Sequence, residues 1–156
     1  MSRISERFAE LRKSKELALV AYITAGDPDL RATAEFIPAL EAAGVDVLEL
    51  GVPFSDPLAD GPLIQRASER ALRSGTTLAR VLALTAEARR TSRLPLLLFS
   101  YFNPILRYGL SRFASDARAA GVDGALITDL SVEEAAAYLE VMRDADDNVV
   151  IICSIE

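Results

Sequence analysis

The sequence predicts an α/β fold in which β–α units repeat to form a parallel sheet. Short apolar runs alternate with longer amphipathic stretches along the 156 residues, which is the pattern of strands joined by helical crossovers. The segment Ala-Ala-Gly-Val-Asp occurs at 42–46 and again at 119–123, 77 residues later. In each copy a glycine, Gly44 or Gly121, lies where a helix should end and a strand should begin. The repeat therefore favours a TIM-type barrel or a doubly wound sheet.

The individual elements follow from the same alternation. Runs with strand composition occur at Leu17–Thr24, Val45–Leu50, Leu94–Tyr101, Gly124–Asp129 and Val149–Cys153. Apolar residues at helical spacing occupy the intervals, near 3–13, 29–43, 62–73, 77–91, 104–119 and 132–143.

Local signals predict where three of the helices begin. Asp27-Pro28 and Asn103-Pro104 have the composition of an N-cap followed by proline at the first helical position. Ser131 followed by Glu134 is typical of a capping box that opens the next helix at 132.

The length of the chain leaves two architectures open. A complete eightfold barrel typically takes about 250 residues, whereas this sequence has about five strand candidates. We therefore expect one domain over 1–156, either a smaller open α/β domain or a piece of a barrel.

Composition excludes several classes of function. The chain has no histidine, which excludes serine and cysteine proteases of the histidine-dependent type and histidine-ligated metal sites. The only lysines, Lys13 and Lys15, lie in a polar stretch near the N-terminus, so a Schiff-base lysine is not expected. The net charge of −6 argues against nucleic acid and anionic membranes as partners. With one cysteine, Cys153, and neither a membrane span nor a signal peptide, a cytoplasmic location is expected.

Glu49 is the first candidate for chemistry. On the second strand Val45, Val47 and Glu49 share one face by alternation, and both faces are otherwise apolar. Burial would raise the pKa of such a carboxyl and suit it to proton transfer near neutral pH. Ligands bind α/β folds at the carboxyl ends of strands, where Glu49 lies. The alternative is a strand-end glutamate that faces solvent or caps a neighbouring helix.

The segment 51–62 extends this candidate site. It contains three prolines, two glycines and two acids, Asp56 and Asp60, and no basic residue. A loop of this length inside a compact domain is usually functional. The alternatives are a turn at Asp56 and an N-cap at Asp60.

The residues from Glu49 to Gln65, Glu-Leu-Gly-Val-Pro-Phe-Ser-Asp-Pro-Leu-Ala-Asp-Gly-Pro-Leu-Ile-Gln, resemble the signature of the tryptophan synthase α subunit. The resemblance includes Tyr22–Pro28 and Ser100–Leu106 and covers about residues 3–143. It implies a partial TIM (β/α)8 barrel of about five strands. It also implies retro-aldol cleavage of indole-3-glycerol phosphate to indole and glyceraldehyde 3-phosphate, in tryptophan biosynthesis, with no cofactor and no metal.

The same resemblance implies roles for individual residues. Glu49 matches the principal acid/base, and Asp60 matches the second catalytic acid, beside the indole N–H. Three strand-end residues are candidates to line the substrate pocket, with core packing of the tyrosines and an N-cap at Asp129 as alternatives: Tyr22, Tyr101 and Asp129. The loop and the region after the third strand are expected to face the β subunit, and the candidate residues are Pro53, Asp56, Pro57, Asn103 and Pro104.

The C-terminal tail departs from the family pattern. Residues 144–156 lack the expected glycine helix stop, and Asp129-Leu130-Ser131 stands where the family usually has Asp-Leu-Pro. The strands that bind the substrate phosphate in TIM barrels follow the point at which this sequence stops. The alternative function is therefore a truncated or redesigned barrel fragment without catalysis, and another phosphate-sugar barrel enzyme is a third. The β-branched run Val149–Ile152 at an open sheet edge predicts self-association.

Overall fold

The computed structural model describes residues 2–131, 133–145 and 150–153. Its helices and strands alternate as predicted. They are α1 (Arg3–Ser14), β1 (Val20–Thr24), α2 (Leu30–Ala42), β2 (Val47–Gly51), α3 (Pro62–Arg73), α4 (Leu78–Ala88), β3 (Leu96–Ser100), α5 (Phe102–Tyr108), α6 (Leu110–Ala120), β4 (Gly124–Ile127), α7 (Ala136–Ala145) and β5 (Val150–Cys153).

The strands form one parallel sheet in the order β1-β2-β3-β4-β5, which confirms the predicted α/β class. Each strand hydrogen bonds to the next one along the chain, as in a TIM barrel, so every crossover helix covers the same side of the sheet. Among the described residues the sheet is open at β1 and at β5.

The core lies between the sheet and the helices that cover it. Leu50 of β2 and Leu98 of β3 pack in one cluster with Val81 of α4 and Phe113 of α6. A second cluster joins β2 and β3 to Ile37 of α2. Burial of aliphatic side chains at this scale supplies the main driving force for folding. Because these side chains occupy the helix-covered face of β2 and β3, the opposite face is available for a functional site.

The repeated segment has a structural basis at the amino ends of the strands. Asp46 accepts a hydrogen bond from the N–H of Leu19 at 2.7 Å, and Asp123 accepts one from the N–H of Leu96 at 2.9 Å. These partners are also 77 residues apart. Both aspartates are buried. The N–H of each also donates a hydrogen bond to the carbonyl of the same leucine, at 2.9 Å in both copies.

Arginines neutralise both buried aspartates. Arg7 of α1 bonds Asp46 at 2.7 Å, and Arg3 of α1 bonds Asp123 at 2.8 Å. Arg89, at the end of α4, approaches Asp123 to 2.6 Å and is itself largely buried. Hydrogen bonds from Leu19 N–H and the Arg7 guanidinium lower the pKa of Asp46, although burial opposes them. Helix α1 is therefore held across the amino ends of the strands.

Two predicted helix starts are wrong. Helix α2 begins at Leu30 and is capped by Asp29, which accepts the N–H of Ala32 at 2.8 Å, whereas Asp27 lies before the helix and pairs with Arg70. Helix α5 begins at Phe102, so Asn103 and Pro104 lie inside its first turn rather than at the N-cap and the first position. Proline is tolerated there because first-turn N–H groups have no partner within the helix.

The continuous helix predicted over 104–119 is also wrong. The structure has two helices separated at Gly109, whose φ of +98° breaks the helical path.

Near the C-terminus, Ser131 accepts the N–H of Glu134 at 3.3 Å, as the capping box predicts, although α7 begins at Ala136. The predicted helix opening at Val132 and strand start at Val149 lie outside the described residues, as do 146–149 and 154–156 of the tail. Edge pairing through Val149–Ile152 stays a prediction. Within residues 2–131 and 133–145, no helix has the length and apolar character to cross a membrane.

Candidate active site

The candidate residues lie on neighbouring strands: Tyr22 and Glu49 are at the middle of β1 and β2, and Tyr101 directly follows β3. Tyr22 is the register partner of Glu49, and Glu49 is the register partner of Leu97. Because paired residues of parallel strands share a face, these side chains lie on the face opposite the helix-covered Leu48 and Leu50.

Glu49 is half-buried on this face, between the buried Val47 and Gly51. Among the described residues its carboxyl has no hydrogen-bond partner, and burial raises its pKa above the ordinary value of 4.5. The alternative of a helix-capping glutamate is therefore not what the structure shows. A carboxyl in such surroundings keeps its proton to higher pH and can act as an acid.

Asp60 lies at the far end of the loop that follows β2. The N-cap of α3 is Gly61, so the alternative of Asp60 as a side-chain cap is not observed. Burial raises the pKa of Asp60, and a hydrogen bond with the Tyr101 side chain lowers it in part. Asp56 is exposed in a turn, where its carbonyl accepts the N–H of Leu58 at 2.9 Å.

Tyr22 is held by close packing at the middle of β1. Its ring meets Phe99 edge-on at 5.3 Å between centroids, and its hydroxyl is 3.4 Å from the Thr24 hydroxyl. A Cβ at Gly51 would clash with the Tyr22 hydroxyl, so only glycine leaves room for it. Burial raises the pKa of Tyr22, and the charges of Asp60 and Glu49 add to this, so the hydroxyl stays protonated. Gly51 was not among the predicted site residues, although its place directly after the predicted strand Val45–Leu50 was a usable signal.

Tyr101 connects β3 to the loop after β2. Its side chain is buried, its hydroxyl accepts the N–H of Ala59 at 2.8 Å, and its ring lies 5.4 Å from that of Phe54. The ring of Tyr101 is therefore packed in the core, as the alternative prediction has it, whereas its hydroxyl contacts the loop of the candidate site. Ala59 and Phe54 were not predicted as its partners, because no local pattern links them to Tyr101.

Asp129 follows β4 and is exposed. Its carboxyl accepts the N–H of Phe102 at 2.6 Å, so it satisfies the first turn of α5 rather than the N-terminus of the helix that follows it. This contact fixes the start of α5 beside Tyr101.

The residues predicted to face a partner differ in exposure. Asp56 and Asn103 are exposed, Pro57 and Pro104 are half-buried, and Pro53 is buried. The most exposed apolar side chain of this loop is Leu58, at 92%. Leu58 was not among the predicted partner-facing residues.

An open cavity of about 340 Å³ adjoins the site on the β1 side. Tyr22 and Thr24 of β1, Ile64 of α3, and the ion pair of Asp27 with Arg70 line it. Over the described residues no group of three acidic, cysteine or histidine side chains is placed to hold a metal ion.

Comparison with known proteins identifies the family. The family model "Tryptophan synthase alpha chain" matches residues 8–156. The chain belongs to the tryptophan synthase alpha chain family. A tryptophan synthase alpha chain of Solibacter usitatus is 56% identical over 143 residues, covering 92% of this chain and 54% of the relative. This chain thus spans about half the length of the curated relatives that it matches.

Solved structures of the family share the fold. Tryptophan synthase subunit alpha from Legionella pneumophila superposes with a TM-score of 0.93 at 41% identity, over 97% of this chain and 57% of that chain. A tryptophan synthase complex from Pyrococcus furiosus matches with a TM-score of 0.81 at 41% identity, over 87% of this chain and 55% of that chain. The predicted partial TIM barrel is thereby confirmed.

Proposed function

We propose that the protein catalyses retro-aldol cleavage of indole-3-glycerol phosphate to indole and glyceraldehyde 3-phosphate. The observation that carries the proposal is a pair of carboxyls, Glu49 on β2 and Asp60 in the loop after it, whose pKa values are both raised by burial and whose charges both act on Tyr22. Membership of the tryptophan synthase alpha chain family supports it.

The reaction requires two proton transfers and a carbon–carbon cleavage. Glu49 donates a proton to C3 of the indole ring, which breaks its aromatic conjugation and allows the bond to the glycerol side chain to break. The electrons of that bond then return to the indole. The glycerol hydroxyl on the carbon that becomes the aldehyde loses its proton to a carboxylate. Both transfers are within the chemistry of carboxyl groups.

Asp60 complements Glu49 because its surroundings differ. Tyr101 hydrogen bonds to the Asp60 carboxyl, whereas Glu49 has only apolar burial to shift its pKa. Two carboxyls in unlike surroundings can hold different protonation states at one pH and divide the roles of acid and anion. An ionised Asp60 would stabilise the positive charge that develops at the indole nitrogen as C3 is protonated.

The test is indole release from indole-3-glycerol phosphate by the purified chain. Glu49→Gln and Asp60→Asn should each lower kcat by at least about 100-fold, the usual contribution of a general acid for Glu49 and of transition-state charge stabilisation for Asp60. Glu69→Gln, on the exposed side of α3, is the matched control and should retain activity. A folded chain that releases no indole would refute the proposal and favour the alternative of a barrel fragment without catalysis.

We further propose that the β subunit of tryptophan synthase binds the loop after β2 together with the start of α5, in the cytoplasm. The exposure of Asp56, Leu58 and Asn103 supports this surface, and the Pyrococcus furiosus relative was solved as a complex. Titration calorimetry with a purified β subunit tests it. Asp56→Lys should weaken binding and Glu69→Lys should not, and equal affinities for both variants would contradict the surface.

A further inference from the structure

We propose that Tyr101 is the positioning residue for Asp60 and for the loop that carries it. Its hydroxyl accepts the N–H of Ala59, the residue before Asp60, at 2.8 Å, and its ring packs against Phe54 at 5.4 Å. The same hydroxyl lies close enough to the Asp60 carboxyl to affect its pKa. One side chain thus contacts both ends of the loop. The inference deepens the proposed function and rests on it for its catalytic readout.

The direction of these hydrogen bonds follows from the chemistry of the groups. A backbone N–H can only donate, so the Tyr101 oxygen accepts from Ala59 and its single proton remains for Asp60. Burial is the main reason that the pKa of Tyr101 is raised, and the Asp60 charge adds to it. The hydroxyl therefore keeps its proton, and the bond to an ionised Asp60 is charge-assisted.

Tyr101 has a rigid base from which to hold the loop. It is the last residue before α5, where its carbonyl accepts the Ser100 hydroxyl at 2.9 Å. The next N–H, that of Phe102, is bonded to Asp129 at 2.6 Å. With its backbone fixed on both sides and its ring buried, the hydroxyl is preorganised, which limits the entropy lost on holding Asp60.

The hydroxyl also favours one protonation state of Asp60. Burial raises the pKa of Asp60 and the hydrogen bond from Tyr101 opposes that rise. Glu49 and Tyr22 face the same space from β2 and β1, and neither donates a hydrogen bond to Asp60 among the described contacts. Removal of the Tyr101 hydroxyl should therefore raise the pKa of Asp60 further and reduce the fraction of carboxylate near neutral pH.

The test compares Tyr101→Phe with Tyr108→Phe by nuclear magnetic resonance of the chain. Both substitutions remove a hydroxyl that lies beside an aspartate, but Tyr108 is away from the candidate site and donates to Asp116 at 2.6 Å. Tyr101→Phe keeps the ring that packs on Phe54. It should speed hydrogen exchange of the Ala59 amide by about fivefold, the equivalent of one net hydrogen bond, and should shift the Asp60 carboxyl titration to higher pH.

Catalysis gives the second readout. Tyr101→Phe should lower kcat more than it raises KM and should move the pH profile of kcat upward, whereas Tyr108→Phe should leave both unchanged. If the wild-type chain releases no indole, the proposed function fails while Ala59 exchange and the Asp60 titration still decide the positioning role. Unchanged exchange and titration in Tyr101→Phe, equal changes in Tyr108→Phe, or an active Tyr101→Phe chain with wild-type kcat would each overturn the inference.

Discussion

Replacement of Asp123 by asparagine tests the ionic link at the amino ends of the strands. The carboxylate is buried and takes three donors: Arg89 at 2.6 Å, Arg3 at 2.8 Å and the Leu96 N–H at 2.9 Å. An asparagine oxygen can still accept from Leu96, but the neutral side chain leaves the largely buried Arg89 without its counter-ion. Removal of one partner of a buried ion pair typically costs about 3–5 kcal/mol.

The other two contacts set where in that range the loss should fall. Arg3 is partly exposed, so its share is below about 1 kcal/mol. The Leu96 hydrogen bond can survive in the variant. Arg89 also keeps its bonds to the carbonyls of Gly121, at 2.8 Å, and Leu94, at 2.5 Å, which hold part of its charge. We therefore expect a loss near the lower limit, about 3 kcal/mol in the free energy of unfolding.

Urea denaturation followed by circular dichroism measures this loss. With an m-value of about 2 kcal/mol per molar, a loss of about 3 kcal/mol moves the midpoint down by about 1.5 M. Asp116→Asn is the control, because its carboxylate is partly exposed and pairs with Arg112 on the surface at 3.4 Å. A loss below about 1 kcal/mol in Asp123→Asn, or one equal to that of the control, would refute the reasoning that the Arg89 pair is what holds this end together.

Three further substitutions have outcomes that the structure determines. Burial raises the pKa of Glu49. The folded chain therefore loses stability as pH rises from the unfolded pKa of this carboxyl, near 4.5, through its folded pKa. By urea denaturation, Glu49→Gln should be more stable than the wild type at about pH 8 and equal to it near about pH 3. Gly26→Ala must clash with Thr76 and should cost about 1–3 kcal/mol more than Gly44→Ala, which has a similar positive φ but open space around it; thermal unfolding of both decides. Asp29→Ala removes the N-cap of α2 and should cost about 1 kcal/mol by the same measurement, and no change would contradict the capping contact.

The sequence was sufficient to predict most of the fold because the spacing of apolar residues and the residues at the turns indicate the same boundaries. Four of the five observed strands lie within a predicted run, and β2 extends one residue beyond its run, to Gly51. Gly121 ends α6 with a φ of +75°, as a helix-terminating glycine should. The helix division at Gly109 was missed because the apolar spacing continues through it. The glycine itself was the available signal, since a φ of +98° is disfavoured for any other residue.

Helix starts were harder because several residues compete for the same cap. Asp27 and Asp29 flank one proline, and both types of residue suit an N-cap. Asp29 caps the helix, while Asp27 is engaged by Arg70 from a helix that is 43 residues away in sequence. Local sequence carries no information about such a distant partner.

The candidate site could be predicted as a set of residues but not as a network. Alternation along β2 was enough to place Glu49 on an apolar face. The contact of Tyr101 with Ala59 joins positions 42 apart, and it depends on the path of an irregular loop. Likewise the repeat at Asp46 and Asp123 was visible, whereas its purpose, to anchor α1 through arginines, depended on three-dimensional contacts.

The two buried aspartates affect which substitutions this chain can accept in evolution. Asp46 and Glu49 are three residues apart, which is about 10 Å along a strand, and substitutions at that separation usually act independently. Substitutions in the loops at the carboxyl ends of the strands can therefore be accepted while the aspartate–arginine ion pairs at the amino ends hold the strands in register. Substitutions that change the chemistry of the site therefore need not unfold the protein.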